Sequence, residues 1–329
     1  MTRLAQYLFA VLVLGACSSP GATPSNPDVG GDGGGGDAST DARPGKADDG
    51  TPARDVGSDA DALDADDATS ASDIGTDIGA DTSTELRDEA LLAALRDDAM
   101  QTHNPLGYRN ARDQMYKPGG IDDDGGRIEG IYTGRTVDTD GSRTPGDNCE
   151  LADGTPSGCA FNTEHTMALY YLRLELGDSS PEFHAAEGDI HHLFPSWDRA
   201  NTYRYHFPFG TTDCEAEGNC RFDEESQLGL PVGVDGDPGC SQGDIGTPQA
   251  CVMMVRPERR GDVARAQFYM SMRYGIPIEA TSEATMREWN DVDPPDAREE
   301  ARNAGIASVQ GNRNPFIDAP DLVDRISDF

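Results

Sequence analysis

Between Asn162 and Gly210 the chain gathers five of its six histidines and three short residue groups whose types suit hydrolytic chemistry. The first is Asn162-x-Glu164-His165 and the second is Asp189-x-His191-His192-Leu193-Phe194-Pro195; the third, Asn201-x-x-Arg204, runs on to Pro208-Phe209-Gly210. Glu164 and Asn201 offer hard oxygen ligands of the kind Mg²⁺ and Ca²⁺ prefer, and these ions keep several waters where the protein supplies few donors. An imidazole beside such an ion, with an ordinary pKa near ~6.5, is suited to take a proton from water while the metal stabilises a departing oxyanion. Geometry sets a condition on this reading. Neighbouring side chains on a strand point to opposite faces, so Glu164 and His165 serve one site only where the strand ends or bends.

The other histidines carry weaker signals. His103, His184 and His206 stand alone and read as surface or core-edge residues. On a strand, one of His191 and His192 faces inward and the other outward, so one of them at most supports the site. Glu164 and Asn201 would each be an ordinary polar residue in isolation. Their order around His165 is what makes them metal-ligand candidates.

The elements that must position these groups are legible in outline. Thr82-Ser83-Thr84-Glu85 has the form of a capping box before a helix at about 83–100, with Leu91, Leu92 and Leu95 on its apolar face. A second short helix is expected around Asn110–Tyr116, after the break at Asn104-Pro105-Leu106-Gly107. Arg127–Tyr132 reads as a strand. Asp189–Phe194 is expected to be another, and Ser196, as N-cap, starts a helix that runs to about Tyr205. Thr211–Gln249 is Gly- and Cys-rich loop, and Val252–Val255 is a buried strand. The helix over Asp262–Arg273 is apolar on most sides and is expected at the centre of the core. Helices at about Ser282–Asn290 and Pro295–Val309 complete an α+β domain.

Upstream of this domain the composition changes twice. Arg3, the apolar run Leu4–Leu14 and the small residues before Cys17 form an export signal too short to span a membrane. It resembles the bacterial lipoprotein signal, which implies lipidation of Cys17 and, with Ser18 following, an outer-membrane lipoprotein at the cell surface or in the periplasm. Residues 18–83 are acidic Gly/Asp/Ala/Ser/Thr-rich sequence without an aromatic residue, a tether that cannot build a core. Residues 84–329 then form one domain. Six cysteines remain beyond Cys17 in an exported chain, so disulfides are the default. Sequence neighbours suggest Cys149–Cys159, Cys214–Cys220 and Cys240–Cys251, among the fifteen or so pairings open to six cysteines. Zinc is the weaker reading, because CxxC is absent and the site ligands are hard oxygens.

Taken together, the three groups above resemble the bacterial endonuclease I family of ββα-metal, or His-Me finger, nucleases. Arg260-Gly-Asp-Val-Ala-Arg-Ala-x-Phe-Tyr-Met270 and Gly311-Asn-Arg-Asn-Pro-Phe-Ile-Asp318 extend the likeness downstream. The resemblance implies a ββα-metal core surrounded by helices and disulfide-stapled loops. It implies His165 as general base, Glu164 and Asn201 as ligands of one Mg²⁺ (or Mn²⁺ or Ca²⁺), and Arg204 near the scissile phosphate. The implied activity is hydrolysis of phosphodiester bonds in DNA, and in RNA, without sequence preference, by a monomer that touches the membrane only through Cys17. The chain departs from the family where a Trp-Pro pair usually follows Glu-His; here Thr166-Met167-Ala168-Leu169 follows, which bears on packing behind the histidine.

Charge pulls the other way. Residues 1–83 hold 4 Lys plus Arg and 15 Asp plus Glu, so −23 of the net −34 lies in the remainder. Polyanions prefer a basic footprint, which on this chain requires Arg204, Arg256, Arg259, Arg260 and Arg265 to share one face. A competing reading keeps the acidic surface and drops the chemistry: a non-catalytic, calcium-dependent surface binding or adhesion lipoprotein.

Overall fold

The computed structural model describes residues 86–145, 160–214, 218–234, 240 and 251–329. The export signal, the tether, the capping box at Thr82–Glu85 and the Cys149–Cys159 pair lie outside the described residues. Helix α1 spans Asp88–Thr102 and helix α2 spans Tyr108–Tyr116. The first starts later than expected, because Arg87 is extended (φ −140°, ψ 161°) and the helix opens with Asp88 and Glu89 in its first turn. Negative charge there is favoured by the unpaired N–H groups. On α2, Ala111 and Met115 lie four residues apart on the buried face.

Strands β1 (Arg127–Glu129) and β2 (Thr136–Asp138) form an antiparallel pair. Strand β3 (Phe161–His165) then leads through helices α3 (Leu169–Leu176) and α4 (Pro181–Glu187) to β4 (Leu193–Trp197). The two strands pair antiparallel, with Glu164 opposite Phe194 and His165 opposite Leu193. Helix α5 (Asp198–Arg204) follows β4 directly.

This region corrects two sequence expectations. Ile190–His192 is a 3₁₀ turn, not a strand, and only Leu193 onward extends. The Asp189 carboxylate accepts from the His191 N–H at 3.1 Å, and such a local side-chain bond favours a turn over a ladder. His191 and His192 are therefore both buried, not alternately in and out. Ser196 is not an N-cap. It is buried in β4, and Trp197 precedes α5 without a side-chain cap.

Beyond α5, the expected loop after Thr211 contains strands β5 (Cys220–Asp223) and β6 (Gln227–Gly229), which join β7 (Val252–Met254) in an antiparallel sheet. The disulfides Cys214–Cys220 and Cys240–Cys251 are both formed, as their spacing suggested.

Helix α6 (Arg260–Tyr274) is the centre of the core, buried from Gly261 to Met272. It packs against α1, helix α7 (Ala280–Val292), the 3₁₀ turn and the short helix α9 (Pro315–Asp318). Helix α8 (Ala297–Gln310) lies against that turn as well. Gly261 is required by close approach, since a Cβ there would lie 1.9 Å from the Asp293 carbonyl oxygen. Gly275 ends the helix in the left-handed conformation at φ 68°, where the missing side chain removes the steric penalty. Among the described residues no helix is long and apolar enough to cross a membrane.

Candidate active site

The strand pair β3–β4 and helix α5 bring Glu164, His165, Asn201 and Arg204 to one cleft of about 630 Å³. Glu164 and His165 share it because His165 is the last residue of β3, which meets the condition set by strand alternation. Thr166 follows in place of the usual Trp-Pro pair. Its N–H and hydroxyl both donate to the His192 carbonyl, at 3.0 and 3.2 Å, and so close the strand end against the 3₁₀ turn.

His165 is pinned by its far nitrogen. Nε2 lies 3.1 Å from the Glu187 backbone carbonyl, which only accepts, so Nε2 carries the proton and Nδ1 keeps the lone pair. Burial, helped by the neighbouring His192 ring at 5.3 Å, pushes the His165 pKa well below the ordinary imidazole value. The ring is thus neutral in the neutral range.

Glu164 is nearly enclosed. The Tyr132 hydroxyl donates to its Oε1 at 2.8 Å, and the Arg204 Nε lies 3.5 Å from the same oxygen. Burial raises its pKa to about 7 against the opposing pull of Arg204 and Tyr132. A nearby cation would favour the ionised form of such a carboxyl. Asn201 is oriented by two acceptors: its Nδ2 donates to Asn162 Oδ1 at 2.8 Å and to the Thr163 carbonyl at 3.4 Å. Asn162 is held in turn, donating to Asp198 Oδ1 at 2.7 Å at the start of α5. With its nitrogen committed to these acceptors, Asn201 keeps its amide oxygen as the atom left to meet a cation.

The donor set therefore fits a hard divalent cation bound by one carboxylate oxygen, one amide oxygen and water. Among the described residues no group of three or more His, Cys, Asp or Glu could hold a metal, as a protein-ligated zinc site would require. Arg204 is 2% exposed and is largely committed to the protein. Its Nη2 donates to the Thr166 carbonyl at 2.6 Å and its Nη1 to the Tyr205 carbonyl at 3.1 Å, and it lies over the Phe209 ring.

The motif histidines at the 3₁₀ turn play a different part. His191 Nε2 meets the Asn312 carbonyl and His192 Nε2 the Ala186 carbonyl, while both Nδ1 atoms are sealed in the core. Asp189 fastens the turn to the core, accepting from Tyr269, Tyr274 and Gln310 at 2.8–2.9 Å. Sequence reasoning missed Tyr132, the Glu187 carbonyl and Tyr108, whose ring lies 4.9 Å from His165. A backbone carbonyl leaves no residue-type signal, and Tyr132, expected at the end of a strand over Arg127–Tyr132, instead lies in the turn after β1.

The expected basic face does not form. Arg265 is fully buried on Glu299, and Arg256 and Arg259 converge on Glu129, which Arg298 joins at 2.8 Å. Arg260 donates to the Val255 carbonyl. Three of these arginines pair with carboxylates of the fold and Arg260 with a backbone carbonyl, so sequence proximity to the site did not make them a surface.

Sequence comparison finds relatives among exported nucleases. The chain is 31% identical over 139 residues to an extracellular deoxyribonuclease of Aeromonas hydrophila, covering 42% of this chain and 52% of that protein. It is 32% identical over 190 residues to an extracellular ribonuclease of Bacillus subtilis (strain 168), covering 50% and 54%. An extracellular endonuclease of Pseudomonas fluorescens biotype A is 30% identical over 109 residues, covering 31% and 48%. The chain thus spans about half the length of the curated relatives it matches. The family model for endonuclease I matches residues 90–321, a span that contains every site residue described above, and the chain belongs to the endonuclease I family.

Proposed function

We propose that this chain is an exported, metal-dependent nuclease of broad sequence tolerance that hydrolyses phosphodiester bonds in DNA and RNA. The observation that carries the reading is the pinned His165, whose Nδ1 lone pair shares a cleft with Glu164 and Asn201. The β3–β4–α5 unit has the order of a ββα-metal core, and on this reading it is one. Relatives named as both deoxyribonuclease and ribonuclease support a polymer preference that is not narrow.

Glu164 Oε and Asn201 Oδ1 would hold one divalent cation, Mg²⁺ as the first choice with Mn²⁺ or Ca²⁺ as substitutes. Such an ion supplies charge neutralisation on the phosphate and on the departing oxygen. The protein's own groups do the rest. His165 Nδ1 takes the proton from a water as that water's oxygen bonds to phosphorus, and the ring becomes an imidazolium held by the Glu187 carbonyl. Tyr132 fixes the carboxylate rotamer of Glu164, and Asn162 fixes the amide of Asn201. Arg204, bound to two backbone carbonyls beside Glu164, acts as a positioning residue more than as a phosphate clamp. Upstream, Cys17 is the lipid anchor, residues 18–83 are the tether, and the mature chain is a monomer at the outer membrane.

Calorimetric titration of Mn²⁺ beside cleavage assays tests the assignment. Glu164→Ala and Asn201→Ala should each weaken cation affinity, with excess metal restoring more activity to the neutral Asn201 variant. Normal cation binding in both variants would remove them from the metal site. A chain that cleaves neither DNA nor RNA with any of the three ions, yet binds Ca²⁺ tightly, would favour the adhesion reading.

A further inference from the structure

Beside the cleft stands a cluster of rings that the proposed hydrolysis does not use. Tyr170, on α3, stacks on His206 with ring centres 4.4 Å apart and planes 13° from parallel. Tyr205 meets the same imidazole at 3.9 Å, and all three residues line the cleft that holds Glu164 and His165. Both tyrosines present their rings to solvent, Tyr170 at 46% and Tyr205 at 38% exposure.

Two features show that the arrangement is held against local preferences. Tyr205 occupies φ 51°, ψ −110°, and the only other described non-glycine residue at positive φ is Asp88. Strain of this kind persists where surrounding structure enforces it, and here it falls on the residue that ends the helix carrying Asn201 and Arg204. Burial, and then the neighbouring Arg204, bring the His206 pKa to about 4, so its imidazole is uncharged at neutral pH.

We infer that Tyr170, His206 and Tyr205 form a stacking platform for the bases of single-stranded nucleic acid entering the cleft. The inference rests on the nuclease reading and names how that site gains its substrate. Most arginines expected to contact phosphate are buried in ion pairs, and the chain carries a large negative charge, so backbone attraction is weak here. Every base has a π-face, and stacking on an exposed ring needs neither a basic surface nor a particular sequence. A duplex keeps its bases stacked on one another and gains little from such rings. Arg173, exposed on α3 and lining the same cleft, is a cation within the platform's reach.

The test uses the full chain carrying His165→Ala, to prevent cleavage, and fluorescence anisotropy with a labelled oligothymidylate and a duplex of equal length. Tyr170→Ala should weaken single-strand binding on the order of tenfold. Tyr170→Phe should restore it, and duplex binding should not move. Tyr205→Gly should weaken single-strand binding while raising the melting temperature, because glycine accepts the strained backbone. Undiminished single-strand binding in Tyr170→Ala, or an equal loss on the duplex, would overturn the platform. If the unmodified chain still cleaves nucleic acid in that event, the nuclease reading stands without it. If the unmodified chain neither binds nor cleaves any nucleic acid, both readings fall.

Discussion

His165 and the pair His191–His192 share residue type, burial and a backbone carbonyl on Nε2, yet the structure gives them opposite surroundings. The Nδ1 atoms of His191 and His192 are sealed in the core, whereas His165 lines a cleft beside a carboxylate and an amide. A hydrogen-bonded, neutral histidine is therefore a base or a strut according to what its second nitrogen can reach. The same contrast separates the carboxylates: Asp189 is encircled by hydroxyl and amide donors, while Glu164, though nearly enclosed, lines the cleft.

The sharpest break in this comparison is His165→Ala. Turnover should fall by about 10²- to 10⁴-fold, the usual worth of a general base, with cation affinity and melting temperature nearly unchanged. A collapse of thermal stability in this variant would place His165 with the struts. Asp189→Ala is the converse experiment. It removes the acceptor of the Tyr269 and Tyr274 hydroxyls and of Gln310, so unfolding free energy should drop by about 3 kcal/mol, measured by urea titration. A drop under about 0.5 kcal/mol would show that the network is dispensable.

Reduction of Cys214–Cys220 and Cys240–Cys251 should cost about 2–4 kcal/mol for each, with wide scatter, and should be seen as a lower melting temperature in dithiothreitol. No change in melting on reduction would mean that these loops are held by their strands alone. Acid tests the buried rings directly. Burial lowers the pKa of His191 and His192 to about 4, against 6.5 when unfolded, so the unfolded chain binds more protons between these values. Stability should then fall as pH drops from about 6.5 to about 4. Asp189 acts in the same direction below that range. Burial alone would raise its pKa, but its histidine neighbours and Gln310 hold it below the usual value, and its contribution goes as it protonates. Equal melting temperatures at both ends of the window would contradict the buried neutral state of these rings.

Much of the fold was legible because it follows local rules. The continuous apolar composition of Asp262–Arg273 marked the central helix, and the structure extends it by a residue or two at each end. Close cysteine spacing identified two disulfides. Errors arose where one side chain rewrote its own neighbourhood, as Asp189 does in turning an expected strand into a 3₁₀ turn. They arose again where charge was read without its partners, as with the arginines that sink onto Glu129 and Glu299.

By itself the sequence determined which groups were available, Glu164, His165, Asn201 and Arg204 in that order, and which helices would carry or bury them. Only the tertiary structure decided which nitrogen of His165 is free, because the acceptor on Nε2 is a peptide carbonyl at the end of another helix. It also decided that Arg204 turns inward and that Tyr170 meets His206. Residue type specifies what a group can donate or accept. Which group it meets depends on the packing of segments distant in the chain.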